Sequence, residues 1–538
     1  GATAVVRFPV LPEDTVRIFG TGVSANRLIL AGLVLAVTLL LTLVFHRTRF
    51  GLATRAAAVN EKGAVLSGIS PDRVGAVNWM VASVLAGFAV ILIEPIAGLD
   101  PATTSLLVVP ALAAALLGGL VSFGITAAAG LLIGMVQSLI LGYAVRPDTT
   151  WIPEWVPVTG LQLAVPVILV LAALAWRGDP LPTRSALVEK PLPPSPTPRR
   201  VGLWSAVLGG ATVAGLYTFE ADLRQALIVS LVYTLLTLST VVVTGYVGQI
   251  SLAQMAFAGV AGFVAIEVAD NGLPFPLAVL VSVLVATGVG LAVGVPALRV
   301  RGMSLAVATM ASAVALEQLV IGSSALSGGV GGRSAPRPYL FGIDVGISAP
   351  GADNFRPAFG ITVLLVLVAA CAVVANLRRN PTGLRWLAVR ANERAAAAAG
   401  IDVARAKLGA FGLASALAGL YGCFTAYATS TLSTTSFLVI GGLVAVAMTY
   451  LAGVSSISGA ILAGLLAQAG LITTLQSSWG GGEPSDYVYV TSGLALVVVA
   501  IVSPEGLTGL ARRSVARLFD RPAPEAAVIG GEVSDAAA

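Results

Sequence analysis

Two short polar segments of this apolar chain, "AAAVNEKGAVLSGIS" and "AVRANERAAAAAGID", carry the same landmark residues. In each, an Asn-Glu pair is followed by a Gly-Ile pair at the same spacing. Asn caps helix N-termini, Glu is favourable in a first turn, alanine favours a helix interior, and Gly tolerates the left-handed stop. Such residues support docking rather than bond-making chemistry. The pattern predicts a short rigid helix from Asn60 to Gly68 and another from Asn392 to Gly400.

Four further polar residues lie in apolar stretches, where they could contact a transported molecule. Gln249, Ser251 and Gln254 belong to "GYVGQISLAQMAFAG", whose glycines permit a broken helix lined by carbonyl and amide groups. Glu317 lies within an apolar span, where charge is costly and often functional. We interpret all four as candidate pathway residues. Helix packing remains the alternative for the first three, and a structural hydrogen bond for Glu317.

The sequence shows no residue arrangement typical of a catalytic or metal centre. There is one histidine, His46, and the two cysteines, Cys371 and Cys423, lie in apolar stretches without a metal-ligand spacing. "ALSGGVGG" resembles the signature of ABC ATPases, but the sequence contains no G-x-x-x-x-G-K-[ST] phosphate loop. We therefore predict no catalytic residue, no metal and no cofactor, and we do not expect the chain to be an enzyme.

Composition places these residues in a lipid bilayer. Hydrophobic residues make up 57% of the chain and charged residues 11%, too little polar surface for soluble domains of this length. The 31 Lys and Arg residues lie in short clusters between apolar runs, as in cytoplasmic loops, so nucleic acid is not the expected partner. The sequence predicts a multi-pass protein of the bacterial cell (inner) membrane.

Apolar runs long enough to cross a bilayer recur along the chain. We predict an all-α polytopic membrane protein with about fifteen transmembrane helices. The predicted spans lie near 28–45, 74–93, 103–120, 125–144, 159–176, 201–217, 223–243, 249–267, 274–298, 303–322, 357–376, 408–428, 433–451, 456–475 and 487–503.

A proline-rich basic segment divides these spans into two groups. Residues 1–176 form a first unit, 177–200 a cytoplasmic linker, 201–510 a second unit, and 511–538 a cytoplasmic tail that we expect to be disordered. The chain does not begin with Met, so we expect residue 1 to lie inside a longer protein.

The two units are related in sequence. After a shift of 332 residues, positions 51–87 match 383–419 at 14 of 37 positions, including both Asn-Glu and both Gly-Ile pairs. Alanine richness alone does not produce these pairs at one spacing. The sequence therefore predicts two related membrane domains.

The repeated segments, "GLATRAAAVNEKGAVLSGISPDR" and "GLRWLAVRANERAAAAAGIDVAR", resemble the coupling-helix region of permeases in the branched-chain amino acid ABC importer family. "GYVGQISLAQMAFAGVAGF" and "PALRVRGMSLAVATM" are similar to one permease subunit of that family. The first unit resembles the other subunit only from "RIFGTGVSANRLILAGLVLAV" onward. We therefore expect this unit to be incomplete at its N-terminus.

The resemblance implies two fused permease domains that carry amino acids into the cell. Cytoplasmic ABC ATPase subunits would drive the transport, and an extracytoplasmic substrate-binding protein would deliver the substrate. Glu61 and Glu393 would be docking contacts, with Asn60 and Asn392 as caps and Gly68 and Gly400 as stops.

Two other functions remain open at this point. Internal repeats and glycine-interrupted helices also occur in ion-coupled secondary transporters and channels. An importer of the same family that carries urea or short amides is equally compatible with these motifs.

Overall fold

The structure is a computed structural model of the 538-residue chain. It describes residues 12, 14–18, 21–97, 107–144, 157–176, 195–197, 201–298, 303–348, 355–479, 497–498, 503 and 505–518.

The described part of the first unit is helical apart from a short hairpin of strands β1 (Thr15–Ile18) and β2 (Thr21–Ser24). Its helices are α1 (Ala25–Arg47), α2 (Arg49–Val59), α3 (Glu61–Leu66), α4 (Pro71–Ala97), α5 (Val108–Leu117), α6 (Phe123–Ala144) and α7 (Val158–Trp176).

The second unit is also built from helices. They are α8 (Val201–Thr218), α9 (Ala221–Thr240), α10 (Gln254–Asp270), α11 (Phe275–Ala297), α12 (Met303–Ala315), α13 (Ser324–Ser327), α14 (Pro357–Arg379), α15 (Pro381–Ala391), α16 (Glu393–Ala398), α17 (Val403–Thr429), α18 (Val439–Ala452), α19 (Ile457–Leu465), α20 (Leu471–Trp479) and α21 (Gly506–Leu518).

Short strand pairs join loops of this unit. Strand β3 (Arg333–Ser334) pairs with β6 (Thr431–Leu432), and β4 (Tyr339–Leu340) pairs with β5 (Ile343–Asp344), both antiparallel.

This architecture confirms the predicted all-α polytopic membrane protein. Eight helices in the described residues are long and apolar enough to cross a membrane, and shorter apolar helices accompany them. The predicted count of fifteen spans is not confirmed. The predicted span at 487–503 falls outside the described residues, apart from residues 497–498 and 503. Residues 511–518 of the predicted tail belong to helix α21 and are not disordered, and the rest of the tail lies outside the described residues.

Several predicted spans are interrupted rather than continuous helices. The chain continues from α9 as a π-helix over Val241–Tyr246 and from α12 as a second π-helix over Leu316–Ile321. A 3₁₀ turn over Thr434–Phe437 precedes α18. Hydropathy did not predict these breaks, because it records apolar residues and not the backbone hydrogen-bond pattern.

The repeat is visible in the helix boundaries. Helices α14 to α17 begin and end 332 residues after α1 to α4 at every boundary. The predicted short helices therefore exist in both units, each between two long apolar helices.

Close packing of small residues forms the centre of the second unit. Helix α10 crosses α17 so closely that a methyl group on Gly422 would overlap the Ala258 backbone, and one on Gly262 would lie 3.0 Å from the Gly422 carbonyl oxygen. Small residues permit such backbone approach between membrane helices. Helix α9 is almost entirely buried beside this pair.

The described residues of the linker contact the second unit. Arg378 at the end of α14 donates from Nη2 to the Ser195 carbonyl oxygen at 2.7 Å and from Nε to Ser195 Oγ at 3.2 Å. The Arg378 side chain is buried. This contact anchors one point of the linker beside the C-terminal end of α14.

Candidate functional site

The first short helix, α3, is closed at both ends by local hydrogen bonds. Asn60 has extended backbone angles, and its side chain accepts from the Gly63 N–H at 3.0 Å. At the other end, Gly68 adopts φ +79°, and the Ile69 N–H donates to the Ala64 carbonyl at 2.9 Å. This is a capped N-terminus followed by a Schellman stop, as the sequence predicted.

The second short helix, α16, has the same terminal geometry. Asn392 Oδ1 accepts from the Arg394 and Ala395 N–H groups at 3.0 and 3.1 Å. Gly400 adopts φ +81°, and the Ile401 N–H donates to a carbonyl five residues earlier at 3.0 Å. The two helices are therefore copies in conformation as well as in sequence.

A close backbone approach fixes the angle at which each hairpin leaves its long helix. A Cβ on Gly51 would overlap the Phe45 carbonyl, and a Cβ on Gly383 would overlap the Leu377 carbonyl, 332 residues later. Only glycine leaves room for the backbone here. Both hairpins therefore turn at the same point by the same device.

The two predicted docking glutamates differ in their surroundings. Glu61 is exposed on α3. Glu393 instead faces α17, where its Oε1 lies 2.7 Å from Lys407 Nζ. The Lys407 side chain is 2% exposed and that of Glu393 is 22% exposed. Because position 75 holds glycine where the second unit has Lys407, the first unit lacks this ion pair.

A shallow groove runs along the first hairpin. It encloses about 540 Å³ and is lined by Leu52, Arg55, Val59, Asn60 and Ile69 among others. Leu66, at the end of α3, is 89% exposed. An exposed leucine beside a groove offers an apolar contact to a partner.

The predicted polar stretch of the second unit forms an irregular connection between α9 and α10. The π-helix ends at Tyr246, Gly248 adopts φ +78°, and α10 begins only at Gln254. The Thr244 hydroxyl donates to the Gln249 carbonyl at 3.0 Å, and Thr309 Oγ1 accepts from the Leu252 N–H at 3.1 Å. These bonds satisfy part of a backbone that has left helical geometry inside the protein.

The side chains of this connection are buried. Gln249 is 5%, Ser251 0% and Gln254 2% exposed. Among the described residues, Gln249 Oε1 and both amide atoms of Gln254 lack a hydrogen-bond partner. Buried amide groups usually have partners, so these atoms are available to a polar ligand.

Glu317 lies in the second π-helix and is 5% exposed. Its Oε2 accepts from the Val439 N–H at 2.6 Å, at the first residue of α18, and its Oε1 accepts from Gln318 at 3.2 Å. A carboxylate at a helix N-terminus is stabilised by the helix dipole. Among the described residues, no hydrogen bond joins Glu317 to Gln249, Ser251 or Gln254.

A larger cavity lies between α8, α9, α14 and α19. It encloses about 810 Å³ and is lined mainly by aliphatic residues, with Tyr246, Ser230 and Thr234 among its polar members. Because Tyr246 ends the π-helix, this cavity adjoins the irregular connection. Apolar walls with a few polar groups are typical of small-molecule sites.

Arg390 and Lys407 are functional candidates that sequence reasoning missed. Arg390 Nη1 on α15 donates to the Gly245 carbonyl of the π-helix. Burial lowers the pKa of Arg390 from its ordinary value, although an arginine stays protonated in proteins. Both residues are charges present in one copy of the repeat only, since the first unit has Ala58 and Gly75 at these positions. That difference between the copies was the available signal.

Comparison with known proteins identifies the family. The family model described as branched-chain amino acid transport system / permease component matches residues 4–174 and 223–500. This chain belongs to that family. The two separate matches agree with two related permease units in one multi-pass membrane protein, which is a transport component by family.

Individual relatives match both kinds of permease subunit. The high-affinity branched-chain amino acid transport system permease protein LivM of Escherichia coli (strain K12) is 28% identical over 300 residues, 53% of this chain and 69% of that protein. LivM of Salmonella typhimurium matches to the same extent. A probable branched-chain amino acid transport permease protein LivH of Methanocaldococcus jannaschii is 29% identical over 130 residues, 24% of this chain and 41% of that protein. No solved structure gives a significant match.

Proposed function

We propose that this permease is the transmembrane part of an ATP-binding cassette importer for branched-chain or other hydrophobic amino acids. Separate cytoplasmic ATPase subunits drive it through α3 and α16. The observation that carries the proposal is the pair of short helices with identical boundaries, caps and stops. An ordinary solvated loop would not need the same geometry twice.

The way each short helix is held supports a mechanical role. A cap closes one end and a Schellman stop closes the other. A long apolar helix, α4 or α17, begins five residues after the short helix ends, and α2 or α15 connects the short helix to the long apolar helix before it. A force applied to α3 or α16 therefore reaches the spans with little local bending.

In the first unit, the docking surface consists of Glu61, the exposed Leu66 and the adjoining groove. In the second unit, Lys407 holds the Glu393 carboxylate against α17, so we propose that Glu393 contributes less to docking than Glu61 does. The two units thus present different surfaces to their ATPase subunits.

The substrate class rests on the relatives and on the cavity beside the irregular connection. The relatives of both permease types, LivM and LivH, are named for branched-chain amino acid transport. Aliphatic walls suit a hydrophobic side chain. The polar stretch that contains Gln249, Ser251 and Gln254 begins three residues after Tyr246, which lines the cavity. An extracytoplasmic binding protein delivers the amino acid to this pathway.

The domain organisation completes the proposal. Residues 1–176 and 201–510 are the two permease units, joined by the linker 177–200, and residues 511–538 form the tail. The hydrogen bonds from Arg378 to Ser195 are a fixed point for that linker.

One observation favours a second candidate, an ion-coupled secondary transporter. Glu317 is a buried carboxylate in an apolar span, and such groups often carry protons or ions in carriers. The two functions differ in their energy source. Substrate uptake that depends on an ion gradient and does not depend on ATP would favour this alternative.

The test begins with gentle extraction of the protein from its own membranes and native mass spectrometry. Co-purifying ATPase subunits, and ATP-dependent uptake of leucine by proteoliposomes that are supplied with the extracytoplasmic binding protein, are the expected results. A chain repeatedly free of ATPase, under conditions that preserve other ABC complexes, would overturn the proposal.

Two matched variants sharpen this test. Leu66→Asp should reduce ATPase co-purification, because it places a charge on an apolar docking contact. Phe341→Asp is the control: Phe341 is 94% exposed, but it lies in the β4–β5 turn at the other end of α14 from the hairpin. Equal ATPase recovery from both variants would show that α3 does not contact the ATPase.

A further inference from the structure

Arg390 joins the second hairpin to the buried irregular connection. It lies on α15, two residues before the Asn392 cap of α16, so it moves with the short helix. Its guanidinium donates to the Gly245 carbonyl in the last turn of the π-helix. Carbonyls in a last turn have no partner within the helix, and this arginine supplies one.

A second contact fixes the same side chain independently. A Cβ on Gly248 would lie 3.0 Å from Arg390 Cγ and 3.5 Å from its Cβ. The left-handed glycine therefore lies directly against the arginine stem. Head and stem together hold the backbone from Gly245 to Gly248, and this backbone leads into Gln249.

The segment that Arg390 holds is suited to move between discrete states. A π-helix is a rare arrangement found mostly at functional sites, and a shift of one hydrogen-bond register converts it into an α-helix. The bonds from Thr244 to the Gln249 carbonyl and from the Gln249 N–H to the Val243 carbonyl, both 3.0 Å, transfer such a shift to the connection.

We propose that Arg390 is a positioning residue that transmits movement of α16 to residues 247–253 and so to the buried amides of Gln249 and Gln254. This inference rests on the proposed importer function. It deepens that function by assigning transmission to the second unit, because the first unit has Ala58 at the matching position.

The experiment uses the permease with its co-purified ATPase subunits in proteoliposomes, adds the leucine-loaded extracytoplasmic binding protein, and measures leucine uptake per ATP hydrolysed. Arg390→Met should lower this ratio about tenfold, a usual size for coupling between sites. ATP hydrolysis itself should continue. Arg390→Lys should recover part of the ratio, since one ammonium donor still reaches a carbonyl.

Arg385→Met is the matched control, because it removes the same charge from an exposed position on α15. If Arg385 contacts the ATPase, ATP hydrolysis and leucine uptake should fall together in Arg385→Met, and the ratio of uptake to hydrolysis should be unchanged. An unchanged ratio in Arg390→Met would overturn the inference, while absence of ATP-dependent uptake in the unmodified protein would overturn the proposed function instead.

A measurement on the purified chain tests the role of Arg390 independently of transport, and so separates failure of this inference from failure of the proposed function. Hydrogen exchange of the amides in residues 247–253 should speed up about tenfold in Arg390→Met, the loss expected for a charge-assisted hydrogen bond. Exchange should be unchanged in Arg385→Met. Equal exchange in both variants would show that Arg390 does not hold this segment.

Discussion

Lys407 Nζ lies 2.7 Å from Glu393 Oε1, joining α17 to the short helix α16. The lysine side chain is almost completely buried, and at this position the first unit has Gly75. The pair therefore fixes one short helix to its span, whereas in the described part of the first unit no ion pair joins α3 to α4.

Lys407→Met should destabilise the protein by about 3 kcal/mol, because removing one partner of a buried pair leaves the other charge uncompensated. The thermal unfolding midpoint in detergent measures this loss. Arg405→Met is the control. Arg405 lies on α17 as Lys407 does, its side chain is 89% exposed, and its ion pair with the capping residue Asp402 contributes little because exposed pairs are weak. The double variant Lys407→Met with Glu393→Gln should recover stability; a loss as large as in the single variant would exclude an uncompensated charge as the cause.

Asn60→Ala and Asn392→Ala should each weaken one short helix by about 1 kcal/mol, the usual loss for a helix cap. Hydrogen exchange at the Gly63 and Ala395 amides, which these side chains accept from, provides a local measurement. Asn380→Ala is a matched control, because Asn380 precedes α15 without a side-chain cap bond. Equal exchange in all three variants would contradict the capping role.

Gly422→Ala should destabilise the second unit by about 2 kcal/mol, since overpacking a tight crossing forces backbone shifts. The added methyl group would meet the Ala258 backbone, which has no flexible end to move aside. Gly288→Ala on the exposed side of α11 meets open space and should be neutral or slightly stabilising. Comparing detergent unfolding midpoints tests the difference, and similar midpoints would mean that α10 and α17 separate easily.

Glu317→Gln and Glu317→Ala should separate a structural role from a pathway role. Glutamine keeps an oxygen for the Val439 N–H, whereas alanine leaves that buried donor unpaired at a cost of about 2 kcal/mol. We expect the glutamine variant to unfold near the unmodified protein and to lose uptake, because a pathway carboxylate acts through its charge. Full uptake by the glutamine variant would confine Glu317 to anchoring α18.

The short helices could be predicted from the sequence because their stops are local. An asparagine cap and a left-handed glycine each form hydrogen bonds with residues at most five positions away. The sequence near each end therefore predicts where the helix begins, at Asn60 and Asn392, and where it stops, at Gly68 and Gly400. The repeat strengthened the prediction by giving the same pattern twice.

The inward contacts could not be predicted, because they join residues far apart in the chain. Nothing in the local sequence of Glu393 distinguishes an exposed carboxylate from one that faces Lys407. Arg390 and Gly245 are separated by 145 positions, and their contact depends on where α15 meets the π-helix that follows α9. The breaks in the spans could not be predicted from hydropathy either, since a π-helix such as Val241–Tyr246 is as apolar as an α-helix.

The equal lengths of the two hairpins have a consequence for how the halves diverged. Because every boundary from α1 to α4 recurs unchanged from α14 to α17, segments 49–69 and 381–401 can be exchanged without altering the phase of the helices that follow. Helices α1–α4 and α14–α17 are thus two copies of one module with matching helix boundaries. The copies differ in inward-facing side chains such as Arg390 and Lys407, so our proposal places the functional difference between the units in these side chains.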